Sequence, residues 1–140
     1  SSASKFVAAD FLTGKASVEA AQSAPVAIKF AHRAALVNVT TAKLPGEYGS
    51  AAETITISGV LTSLEWDMAS DKVCTITDAE TGSVTMWKAS DGLFAAVVPA
   101  QEIAAGKIFL TISTDDGRTF TYKPAAPIAL KAGDVFKLEF

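Results

Sequence analysis

Alternation with a period of two constrains this chain more than any other feature. Ile55 and Ile57 alternate with Thr54, Thr56 and Ser58, and Ile108, Leu110 and Ile112 alternate with Phe109, Thr111 and Ser113. The pattern recurs at Phe120 and Tyr122 among threonines, and at Phe136, Leu138 and Phe140 between Val135, Lys137 and Glu139. Strand side chains point alternately to opposite faces, so each run offers an apolar face to a core and a Thr or Lys face to water. The threonines concentrated in these runs suit a half-buried pleated surface. Ile55, Ile57, Ile76, Ile108, Leu110 and Ile112 are the expected core-facing side chains.

Turn chemistry separates the runs. Asp115, Asp116 and Gly117 predict a hairpin between strands 107–114 and 118–123, because glycine accepts the positive φ of a tight turn. Asp78 to Gly82 separates strand 72–77 from 83–89, and Ser90, Asp91 and Gly92 separate that strand from 93–98. A longer loop, 44–50, follows strand 35–41. Pro99, Pro124 and Pro127 fall at strand ends, where a missing N–H does least harm. Short strands spaced this way predict an all-β fold, an antiparallel β-sandwich. Helix is limited to at most one or two short turns, at Gln101–Ala105 and at Ser17–Gln22, the latter equally readable as extended. Residues 1–14 are expected to be a leader or inter-domain linker, and 15–140 a single sandwich domain.

A length of 140 residues suffices to bury a core without disulfides or structural metals. Twelve basic against fifteen acidic residues give a net charge of −3. That balance offers no basic face for phosphates and excludes nucleic acid as the expected partner. No window approaches 18 uninterrupted apolar residues, so no transmembrane segment is expected. A single cysteine, Cys74, rules out an internal disulfide or multi-thiolate site and reads as a small buried thiol. The chain begins at Ser1 and is expected to be a processed or excised piece of a longer protein.

Sites of chemistry are few. His32 is the sole histidine, and no nucleophile elbow accompanies it, so no catalytic residue is assigned and the chain is expected not to be an enzyme. Asp78, Glu80 and Asp91 gather carboxylates as a calcium site would, but their Asp/Gly/Thr surroundings are those of ordinary turns, so neither metal nor cofactor is expected. Trp66 and Trp87, helped by Tyr48, are the candidate aromatics for stacking on a sugar ring, against the commoner role of partial core.

Three stretches together resemble the fimbrillin family of surface proteins from anaerobic Gram-negative bacteria, the type V pilins among them. They are Asp10 to Gly14 (DFLTG), the run Val26 to Val39 (VAIKFAHRAALVNV) with His32 between two apolar strands, and Ala95 to Gln101 followed by Gly106 to Ile112. The hairpin at Gly117–Lys123 and the closing run Leu130–Leu138 continue in the family's order, and Ala100 splits the family's usual Pro-Gln pair. The resemblance covers about residues 10–140 and implies the second of two transthyretin-like sandwich domains. It further implies a lipoprotein precursor, a place at the cell surface in a fimbrium or at the outer membrane, and assembly by strand exchange. Partners would be other fimbrial subunits or the preceding domain, with a host or bacterial surface glycan or protein as adhesion target. Residues Asp134, Val135, Phe136, Lys137, Leu138, Glu139 and Phe140 carry the alternation an exchanged strand needs, and equally that of the last strand of their own sheet. The alternative function is a surface module that binds saccharide or protein without polymerising.

Overall fold

The computed structural model describes residues 9–20, 23–41, 52–73 and 81–140. Ile76, Tyr48, Cys74, Asp78, Glu80 and the loop 44–50 lie outside them. Two four-stranded sheets face each other across an apolar core. In chain order the fourteen strands are β1 (Leu12–Gly14), β2 (Phe30–His32), β3 (Ala34–Thr40), β4 (Ala52–Leu61), β5 (Trp66–Asp67), β6 (Lys72–Val73) and β7 (Thr81–Thr85). They continue as β8 (Trp87–Ser90), β9 (Leu93–Pro99), β10 (Gln101–Ile103), β11 (Leu110–Thr114), β12 (Thr119–Tyr122), β13 (Ile128–Leu130) and β14 (Val135–Glu139). The first sheet runs β12-β11-β4-β7 and the second β14-β3-β9-β8, with small ribbons β1-β2, β5-β6 and β10-β13 beside them. The chain is an all-β sandwich.

The core is filled as alternation demands. From the first sheet Ile55, Ile57, Val60, Leu110 and Ile112 point inward, and from the second Ala35, Val37, Val39, Phe94, Ala96 and Val98. Two bulges in β4 keep its long run in phase. Glu53 is the extra residue where the β11 register shifts, and Gly59, at φ 70°, is the extra residue opposite β7, which lets Val60 return to the core.

Two expectations need correction. Ile108 does not face the core: it is 44% exposed, while Phe109 is fully buried. Phe109 N–H donates to Tyr122 O although Tyr122 is already paired with Leu110, so two residues oppose one and both side chains turn to the same side. Gln101 to Ala105 is not a helical turn. Gln101–Ile103 is β10, tied by its side-chain amide, which donates to Pro99 O (2.9 Å) and Leu61 O (3.3 Å) and accepts from Leu61 N–H (2.7 Å). The strand pairing is antiparallel as expected except at one edge, where β14 pairs with β3 in parallel. The described residues contain no helix, and Ser17–Ala20 is non-helical and exposed.

The Asp115–Gly117 hairpin is as expected. Gly117 N–H donates to Thr114 O, Thr114 N–H to Arg118 O, and Gly117 takes φ 82°. This is a type I turn closed by a glycine bulge, braced by Thr114 Oγ1 donating to Asp116 Oδ1 at 2.6 Å. Residues 12–14, the end of the expected linker, form β1 and pair with β2.

Candidate functional site: an open seam and the pole beside it

The two long sides of the sandwich differ. On one, the chain passes directly from β7 in the first sheet to β8 in the second through buried Met86, so a continuous strand closes that side. On the other, β12 and β14 are the edges of separate sheets, and among the described residues they are joined by side chains. Tyr122 meets Phe140 edge-to-face at 5.3 Å between ring centroids, and Phe109 meets Phe136 at 6.4 Å. Phe136, Leu138 and Phe140 are half-buried against the core.

Hydrogen-bond direction follows from the parallel ladder. Leu36 N–H donates to Asp134 O at 3.0 Å and Phe140 N–H to Thr40 O at 2.8 Å. Alternate residues of a strand bond to the same side, so the even-numbered residues 134–140 face β3. The main-chain groups of Val135 and Lys137 face away from it, and among the described residues no strand pairs with that outer edge. Of the seven residues singled out from sequence, Val135–Glu139 form β14 at the edge of the second sheet, and Asp134 and Phe140 extend its bonding to β3 at either end.

At one pole, Arg33 ties the N-terminal ribbon to the sandwich. Its backbone N–H donates to Phe11 O at 2.9 Å, its Nε to Thr13 Oγ1, and its guanidinium lies 3.3 Å from Asp71 Oδ1. The same guanidinium covers Trp66, 4.4 Å from the ring centroid, and Phe11 meets that ring edge-on at 6.3 Å. One face of Trp66 is thus already occupied. Trp87 lies half-buried on β8 opposite Ala95, and none of the cavities at the pole is lined by both tryptophans. His32 Nδ1 lies 2.9 Å from Asp10 Oδ1, and this exposed pair borders a cavity of about 270 Å³ floored by Ala34, Leu36 and Val97. No serine hydroxyl shares its hydrogen bonds among the described residues.

Asp91 makes a surface contact with Lys88 at 3.2 Å, and no cluster of three potential metal ligands occurs among the described residues. Asp67 is held below the ordinary aspartate range, first by the Ser70 hydroxyl and then by the backbone N–H groups of Ala69 and Ser70. No helix among the described residues is long and apolar enough to cross a membrane. Sequence reading missed the roles of Arg33, Phe11 and Gln101. Apart from Pro99 beside Gln101, their partners lie 20 or more residues away, so no local spacing marks them.

A family model described as fimbrillin-like matches residues 1–140. The backbone is similar to the crystal structure of a candidate cell adhesion protein from Bacteroides thetaiotaomicron VPI-5482, with TM-score 0.67 and 23% identity over 94% of this chain and 56% of that one. It is also similar to a candidate cell adhesion protein from Bacteroides uniformis ATCC 8492, with TM-score 0.61 and 18% identity over 81% of this chain and 47% of that one. The chain therefore spans about half the length of both, and at these identities the likeness concerns the fold. No curated protein matches the sequence.

Proposed function

The chain belongs to the fimbrillin-like family, and on that premise we propose that it is a non-enzymatic structural or adhesive subunit at the cell surface, associating with its neighbours through the open β12/β14 seam. The observation that carries this reading is the flank of β14. Its even-numbered residues are spent on β3, and its outward main-chain groups at Val135 and Lys137 are oriented to take another strand. Edge pairing of this kind draws affinity from main-chain bonds and register from alternate side chains. Strand 134–140 then acts in place, as an acceptor. Withdrawing it would uncover Val37, Val39 and Phe109 at the centre of the core.

Lys137→Pro tests the reading. It removes one outward N–H and leaves the bonds to β3 intact. Sedimentation and electron microscopy should find concentration-dependent assembly for the natural chain and monomer for the variant, with the same melting curve. Assembly of Lys137→Pro at natural strength would refute the seam. Deleting residues 134–140 should unfold the domain; a folded, assembly-dead deletion would instead make the strand a donated one.

A further inference from the structure

The segment leading into β2 has the sequence of a strand but lacks a sheet. Val26, Ile28 and Phe30 alternate with Ala27, Lys29 and Ala31, yet they are 41%, 50% and 66% exposed, and residues 25–29 pair with no strand among the described residues. Exposed apolar side chains gathered on one short segment mark a contact surface. Gly14 sets the position of this arm. A Cβ there would lie 2.7 Å from Ile28 Cγ2 and 3.0 Å from Phe30 Cδ1, so only glycine lets β1 pass so closely.

We propose that residues 25–30 of one copy add as a further strand to the outer edge of β14 in a second copy. This rests on the seam reading above and names the segment that fills it. The arm cannot reach its own seam. Only Arg33 separates β2 from β3, and β14 starts opposite Leu36 and runs parallel to β3, away from the arm. A β14 edge paired with this arm therefore belongs to another copy.

Side-chain order favours a parallel addition. Setting Val26, Ile28 and Phe30 beside Phe136, Leu138 and Phe140 extends the inward apolar row. The same register places small Ala27 beside Lys137, so that no lysine meets a lysine, and brings Lys29 to Glu139. Because donor and acceptor are different surfaces of one chain, the contact is head-to-tail, and it extends into a filament wherever the rotation between copies does not close a ring.

The test uses the 140-residue chain with benzoylphenylalanine in place of Ile28, prepared as an equal mixture of ¹⁴N and ¹⁵N protein. Photolysis should yield mixed-isotope cross-links from position 28 to the peptide containing residues 135–140. Cross-links confined to one chain, directed elsewhere, or absent would overturn the proposal. In parallel, Phe30→Asp should weaken self-association by about tenfold or more, with an unchanged melting curve because Phe30 is exposed. If Lys137→Pro abolishes association and Phe30→Asp leaves it intact, the seam stands and the arm is wrong. If neither variant alters association, or the natural chain stays monomeric throughout, both readings fail.

Discussion

Adjacent residues Ile108 and Phe109 offer a sharp test of how the core is built. Simple alternation puts Ile108 inside; the bulge opposite Tyr122 puts Phe109 inside and leaves Ile108 44% exposed. Truncating a fully buried Phe to Ala costs about 3–5 kcal/mol, as lost transfer energy plus a cavity. Here the upper half of that range is expected, because the edge-to-face contact with Phe136 is lost as well. Ile108→Ala removes a few carbons that already meet water for nearly half their surface, a loss of about 1 kcal/mol. For a chain of this size each kcal/mol moves Tm by about 4 °C. Phe109→Ala should then melt about 16–20 °C lower than the natural protein, and Ile108→Ala about 4 °C lower. Urea titrations followed by circular dichroism would give the same ranking as shifts in midpoint at constant slope. An Ile108→Ala cost equal to or above that of Phe109→Ala would refute the bulge and restore simple alternation.

Other substitutions probe single devices. Gln101→Ala should cost about 1–3 kcal/mol in urea denaturation, since it strands the Leu61 N–H and two carbonyl oxygens in a partly buried site. Gly117→Ala should cost about 1–2 kcal/mol from backbone strain alone, because φ is 82° and a Cβ would meet nothing within 4 Å; an Asn there should cost less. Asp67 should titrate below the ordinary aspartate range by NMR, and Ser70→Ala should return it toward that range. With its folded pKa depressed, the contribution of Asp67 is present above the unfolded value and lost as pH falls through the folded one.

What was legible in the sequence was local chemistry. The Asp115–Gly117 hairpin closes within five residues, so its place can be read directly. Ile55, Ile57 and Ile112 announce their faces because the strand between them and their partners keeps its pleat, and Leu110 shares the face of Ile112 on the far side of the bulge. Ile108 misled because a bulge depends on the partner strand, and nothing in residues 107–110 alone reports that Tyr122 will face two of them. Gln101 misled in another way. Its neighbours suit a helical turn, but the amide finds three backbone partners at Leu61 and Pro99, and those bonds outweigh a weak propensity. At the candidate site, the alternation of 134–140 was plain, whereas its parallel pairing and open flank arise only from where β3 and β12 lie. The covering of Trp66 by Arg33 joins residues 33 apart in sequence and leaves no trace in composition.

Hydrogen exchange along β14 tests the association surface most directly. In dilute monomer the amides of Val135 and Lys137 should exchange fast, while those of Phe136 and Leu138, bonded to β3, stay protected. In assembled material all four should be protected. Val135 and Lys137 remaining as fast in the assembly as in the monomer would contradict edge pairing at this flank.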